Sequence, residues 1–288
     1  MTKLAGIIGH PVAHSLSPAF QGAAFRHCGL DVRYEAWETS PEALAGRLVS
    51  LRGPAFLGAN VTIPYKQTVI PMLDELGGQS ARVGAVNTIV NRNGRLFGFN
   101  TDGPGFVASL RREAHFDPAG AAVLLLGAGG AARGIAFALI EANVRSIAIA
   151  NRTPERARLL ASDLASNGGS VLAVALDDSL DRYGLIVNCT SVGMHGGGGE
   201  SEMPCDLSTA SPGAMVADIV YVPEETPLLR KARALGLRTL PGLPMLIYQG
   251  ALAFELWTGA SAPVEVMFDA ARDALTQRAV PSAADAER

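Results

Sequence analysis

A chain of 288 residues is long enough for one large or two ordinary domains, and its 48% hydrophobic content supplies packed cores. A net charge of −3 with no basic stripe argues against a nucleic-acid partner, and no run of about 18 apolar residues is present to span a membrane. Cys28, Cys189 and Cys205 show neither CxxC nor metal spacing, the five histidines show no metal-ligand spacing, and Met1-Thr-Lys-Leu is no signal-like leader; no disulfide framework, no metal and a cytoplasmic location are expected.

Residues 3–9 read as a strand, and Ser17-Pro18 opens a helix to about Cys28. Ser17 suits an N-cap and Pro18 a first helical position. The alternative use of Ser15 and Ser17 is anion binding, since two hydroxyls at a helix N-terminus can hold a carboxylate. Val32–Glu38 alternates like a strand, Pro41–Leu51 reads as a helix and Phe56–Thr62 as a third strand. Pro64-Tyr-Lys66 then stands at an expected helix start. Thr62 and Lys66 lie where strand gives way to helix, the end at which α/β folds place ligands. Such a lysine is either a solvated surface charge or, with Asp102 as counterpart, a proton donor and acceptor. Asn87–Val90 and Arg95–Phe99 flank the turn sequence Asn91-Arg-Asn-Gly94 and read as a hairpin. Asn87 and Gln249 offer neutral donors and acceptors suited to a polyhydroxylated ligand. Residues 1–100 therefore form a β-α-β-α-β unit closed by a hairpin, a domain with a mixed sheet.

After a connecting helix, Gly103 to about Arg112, and a loop to Gly120, the strand Val123–Leu126 ends in Gly127-Ala-Gly-Gly-Ala131, which opens a helix to Ala142. Gly127 and Gly129 let the backbone approach a pyrophosphate, and the helix presents its positive end to it. The alternative is a doubly wound domain with an empty turn. A second strand, Ser146–Ala150, ends about where an NAD site keeps an acid for the ribose 2′-hydroxyl. That place holds Asn151, followed by Arg152, Thr153 and Arg156, which would attract a 2′-phosphate; the expected cofactor is NADP. Helices at Pro154–Ser166 and Pro227–Leu235 alternate with strands at Val171–Ala175, Leu185–Asn188, Met215–Ile219 and Leu237–Leu240. Gly196–Gly199 reads as a surface loop. Asp218-Ile-Val-Tyr221 ends a strand, so the Tyr221 hydroxyl can face a ligand. The apolar helix Met245–Trp257 has no strand after it and is expected to return to the first domain. The tail from Ala279 is small and polar. The expected architecture is two α/β domains with a cleft between them: residues 1–102 plus 243–288, and a Rossmann-type doubly wound domain, 103–242.

In this order the motifs resemble the shikimate dehydrogenase family. The likeness runs from Gly9-His-Pro-Val-Ala-His-Ser-Leu-Ser-Pro18 through Asn60-Val-Thr-Ile-Pro-Tyr-Lys66, Gly84-Ala-Val-Asn-Thr88, Asn100-Thr-Asp-Gly103, Gly127-Ala-Gly-Gly-Ala131, Asn151-Arg-Thr153 and Gly193 after Thr190-Ser191, to Met245-Leu-Ile-Tyr-Gln249. The resemblance implies NADPH-linked reduction of 3-dehydroshikimate to shikimate, a step toward chorismate and the aromatic amino acids. It implies that Ser15, Ser17 and Tyr221 hold the substrate carboxylate, and that Thr62, Lys66, Asn87, Asp102 and Gln249 meet the ring hydroxyls. Lys66, with Asp102, would move the proton at C3. Gly127, Ala128, Gly129, Gly130, Ala131, Asn151, Arg152, Thr153 and Arg156 would hold the dinucleotide, with Ile219, Gly242 and Met245 around its nicotinamide. Partners are then small molecules, with a monomer or homodimer as the assembly. Two other readings stand beside this one: a quinate/shikimate dehydrogenase of broader range, and a non-catalytic sensor of shikimate-type acids. Loss of Lys66 or Asp102 would favour the sensor, and both are present.

Overall fold

The computed structural model describes residues 2–166, 168–196 and 199–279. Two middle glycines of the run at Gly196–Gly199 and the tail beyond Ala279 lie outside them. The chain forms two compact units, Met1–Thr101 with Gly250–Arg288, and Asp102–Gln249. The second is thus an insertion into the first, and the division falls within a helix, after Gln249.

The first unit begins with β1 (Lys3–Gly9), α1 (Ser17–His27), β2 (Val32–Glu38), a turn of 3-10 helix leading into α2 (Leu44–Leu51), and β3 (Phe56–Val61). There follow β4 (Glu75–Leu76), α3 (Ser80–Val83), β5 (Thr88–Arg92) and β6 (Arg95–Phe99). The strands order as β2-β1-β3-β5-β6-β4. β1 runs parallel to β2 and β3, whereas β5 is antiparallel to β3 and β6, so the sheet is mixed. The β5–β6 turn places Asn93 at φ 53° and Gly94 at φ 86°, as a two-residue hairpin requires. On one face α2 buries Leu44, Leu48 and Leu51 with Trp37, Val61 and Ile89.

The second unit carries α4 (Asp102–Arg112), β7 (Ala122–Leu126), α5 (Gly130–Glu141), β8 (Ser146–Ala150), α6 (Pro154–Ser166), β9 (Val171–Val174), β10 (Leu185–Asn188), β11 (Met215–Asp218), α7 (Pro227–Ala234) and β12 (Arg238–Leu240). Its strands are all parallel and order as β12-β11-β10-β7-β8-β9. This is the doubly wound arrangement, with its topological switch point between β7 and β10. The four inner strands, β11, β10, β7 and β8, are largely apolar and buried, as a covered parallel sheet demands.

α8 (Gly242–Thr258) and α9 (Val264–Ala279) end the described chain. α9 packs against α1, and the rings of Phe25 and Phe254 are 5.1 Å apart. α8 starts at Gly242, three residues before the expected Met245, because proline is tolerated in a first turn and Pro244 sits there. The helix expected after Pro64 does not form. Turns cover residues 63–64 and 66–69, and a 3-10 turn covers Ile70–Met72. Pro71 lies too close to Pro64 for a helix to propagate between them, since proline removes a backbone donor and disfavours helical backbone just before it.

Candidate active site

Parallel pairing brings the carboxyl ends of β1 and β3 side by side, and antiparallel pairing puts the start of β5 and the end of β6 at the same edge. Four candidate segments therefore meet there. Thr62 N–H donates to Ile8 O at 2.9 Å and His10 N–H to Ile63 O at 3.0 Å, tying the loop after β3 to the loop after β1. Val86 N–H donates to the Lys66 carbonyl at 2.7 Å, which holds the lysine beside the segment carrying Asn87. Lys66 and Thr62 are half-buried.

The two serines differ in their bonding. Ser15 Oγ accepts the Ser17 N–H at 3.1 Å, so Ser15 finishes the first turn of α1. The Ser17 hydroxyl does not cap the helix. It is buried instead, beside the phenol of Tyr34. From α9 the Arg278 guanidinium donates to the carbonyls of His14 and Ser15, at 2.7 and 3.1 Å, and pins this loop from the far end of the chain. Asn87 is buried; its amide donates to Thr101 Oγ1 at 2.9 Å, and its carbonyl accepts the Thr101 N–H at 2.7 Å.

Thr101 leads directly into Asp102, the first residue of α4 and of the second unit. Asp102 is buried, and a carboxylate in a helix's first turn is favoured by the helix dipole. Gln249, on α8, is also buried; its amide donates to Leu246 O at 2.7 Å. Gly105 lets α4 approach this point: a Cβ there would lie 2.6 Å from the Gln249 nitrogen.

In the second unit Gly127 follows β7 with φ 114°, and a Cβ on it would press on Thr190 and the Cys189 carbonyl at 3.0–3.1 Å. Only glycine fits that position at the switch point. Gly129 has extended backbone before α5, and an added Cβ would meet nothing within 4 Å. Ala128, Gly130 and Ala131 around it are half-buried, and a helix N-terminus that follows such a turn suits a pyrophosphate. At the end of β8, Asn151 Nδ2 donates to Thr153 O at 2.9 Å and shapes the turn. Arg152 and Arg156 are exposed, and neither guanidinium appears in the described ion pairs. With no acid at Asn151 these residues fit an NADP 2′-phosphate.

The carboxyl end of β11 shows features that the sequence does not announce. Asp218 is 2% exposed, and its carboxylate accepts from Asn188 Nδ2 at 2.9 Å, Val220 N at 3.0 Å and Thr226 Oγ1 at 2.7 Å. Burial pushes its pKa up to about 6, against those three bonds. The same Asn188 donates to Val192 O and accepts from Thr190. Together they brace the loops after β10 and β11, the second of which carries Ile219 and Tyr221. Gly242 abuts the Ile219 and Val220 carbonyls with no room for a side chain, and Met245 is buried one turn further along α8. Among the described residues no group of three or more His, Cys, Asp or Glu is placed to hold a metal, and no helix is long and apolar enough to cross a membrane.

Three family models match: the shikimate dehydrogenase substrate binding domain over residues 7–89, shikimate/quinate 5-dehydrogenase over 110–195, and the shikimate 5′-dehydrogenase C-terminal domain over 242–272. A shikimate dehydrogenase (NADP(+)) of Moorella thermoacetica is 48% identical over 280 residues, covering 95% of this chain and 94% of that protein. The shikimate 5-dehydrogenase of Thermus thermophilus, solved with NADP(H) and shikimate, superposes with a TM-score of 0.87 at 44% identity, over 95% of this chain and all of that one. A quinate dehydrogenase of Corynebacterium glutamicum, solved with NAD, gives 0.86 at 33% identity, over 94% and 99% of the two chains. With two α/β units, a glycine turn at the switch point of the second and near full-length likeness, the chain belongs to the shikimate dehydrogenase family.

Proposed function

We propose that the protein is an NADP-dependent oxidoreductase that interconverts 3-dehydroshikimate and shikimate. The observation that supports this most is the gathering of Ser15, Ser17, Thr62, Lys66 and Asn87 at one end of the first sheet, in a chain of this family. Ser15, Ser17 and Tyr221 take the carboxylate, and Thr62, Asn87 and Gln249 orient the ring hydroxyls. Bound NADPH supplies the hydride that adds to the C3 carbonyl carbon. Lys66 then delivers one proton to the carbonyl oxygen, giving the C3 alcohol, with Asp102 as the second polar group assigned to that end of the ring. In the reverse direction Lys66 takes that proton as hydride leaves C3. Gly127, Gly129 and the start of α5 hold the pyrophosphate, Arg152, Thr153 and Arg156 the 2′-phosphate, and Ile219, Gly242 and Met245 border the nicotinamide.

The test is a rate assay with shikimate and quinate, each with NADP and NAD. Turnover of shikimate with NADP as the best pair supports the proposal. Equal efficiency with quinate or NAD points to the broader dehydrogenase. Binding of shikimate without turnover points to a sensor.

A further inference from the structure

Tyr34 lies in the middle of β2, paired with Ala5 of β1, and is buried. A buried phenol needs hydrogen-bonding partners, and Tyr34 has them on both sides. It donates to Asn60 Oδ1 at 2.7 Å, and the Ser17 side chain is its other polar neighbour. Asn60 Nδ2 continues the line to Thr88 Oγ1 at 3.1 Å and to Asn87 O at 3.2 Å. Thr88 Oγ1 reaches Asn87 Oδ1 at 3.3 Å, and Asn87 reaches Thr101 at 2.7–2.9 Å. Ser17, Asn60, Asn87, Thr88 and Thr101 are all 4% exposed or less. The indole of Trp257 closes one side of the phenol, 6.0 Å between centroids, and is itself held by a bond to Ile89 O at 2.9 Å.

The two ends of this line are the residues assigned to opposite ends of the substrate: Ser17 to the carboxylate, Asn87 to a ring hydroxyl. We infer that Tyr34 is a positioning residue for shikimate, its hydroxyl fixing the spacing between Ser17 and the Asn60–Asn87 arm without touching the substrate. The inference rests on the function proposed above. Burial raises the phenol's pKa, so it stays a neutral donor throughout the working range. Without the hydroxyl, Asn60 Oδ1 loses a donor in a site closed to water, and both arms gain freedom.

Tyr34→Phe keeps the ring and removes only the hydroxyl. We expect the shikimate KM to rise roughly tenfold, as for the loss of one well-made hydrogen bond in a binding array. The NADP KM should hold within about twofold, and kcat should fall less than the shikimate KM rises. In a cycle with Ser17→Ala the two losses should not multiply, because both act on one carboxylate contact. A shikimate KM within about twofold of wild type overturns the inference, as do losses that multiply freely or fall on NADP and shikimate alike. If Tyr34→Phe does not fold, Thr88→Val and Thr88→Ser read the next link: the valine variant should show the same selective KM rise and the serine variant should restore it. Equal behaviour of those two variants overturns the inference. Wild-type rates on shikimate, taken in the same assay, keep the two ideas apart. An inactive wild type refutes the function itself, whereas an active wild type with an unaffected Tyr34→Phe refutes only the role of the phenol.

Discussion

Asn188 and Asp218 stand at matched positions on the neighbouring strands β10 and β11, joined side chain to side chain at 2.9 Å. The pair knits two loops at the edge where Ile219 and Tyr221 emerge. Its carboxylate is also the buried acid whose pKa is raised to about 6. In an unfolded chain an Asp titrates near 3.9. Between about pH 4 and pH 6 the folded protein therefore holds a proton that the unfolded chain has released, and stability falls as pH rises through that window. Asp218→Asn cannot ionise. Melts of wild type and variant from pH 4 to 7 should show the variant gaining on wild type by roughly 2–3 kcal/mol as pH rises. A stability gap that does not move with pH would show that Asp218 stays ionised in the fold.

Lys66→Ala should lower kcat by about 10²- to 10⁴-fold, the usual contribution of a general acid and base. Shikimate affinity, read by fluorescence or calorimetry with NADP bound, should change much less. A loss of turnover below about threefold would make Lys66 a binding or surface residue only.

The carboxylate assignment is open to substrate chemistry rather than mutation. Shikimate methyl ester keeps every ring hydroxyl and removes the charge that Ser15, Ser17 and Tyr221 are proposed to hold. A hydrogen bond to a charged group contributes roughly 1.5–3 kcal/mol, so the ester should bind about ten- to a hundredfold more weakly than the acid. Equal affinities would move the carboxylate elsewhere.

Arg152 and Arg156 should govern cofactor choice. Each charge-assisted bond to the 2′-phosphate contributes roughly 1.5–3 kcal/mol, so losing one arginine should weaken NADP about ten- to a hundredfold and leave NAD nearly unchanged. The measurement is the NADP/NAD ratio of kcat/KM for wild type and for the double alanine variant. A wild type that prefers NAD, or a ratio that the substitutions leave alone, would refute the assignment.

What the sequence discloses and what it hides divide along a physical line. Local signals sufficed for the strand-turn-helix around Gly127 and for the Asn93-Gly94 hairpin, because the turn chemistry sits in adjacent residues. The missing helix after Pro64 is a conflict between local signals, a helix opening at Pro64 against the stop at Pro71, and only the folded chain resolves it. α9 had a narrow signal, Val264, Met267, Phe268 and Ala271 at helical spacing among mostly exposed residues. The roles of Tyr34, Asn188 and Arg278 were not legible at all. Tyr34 meets Asn60 across 26 residues of chain, Asn188 meets Asp218 across 30, and Arg278 meets His14 across 264. Such pairings depend on strand register and on which helix covers which face.

The insertion of the second unit also sets an order of birth. A ribosome releases residues 102–249 as one uninterrupted stretch, so the nucleotide-binding half can close as soon as that stretch is out. The other half cannot. α1 is made before that stretch, yet its cover, α9, is made after it, and Phe25 awaits Phe254. Until α9 has left the ribosome, the apolar face of α1 that it covers has no partner from that helix.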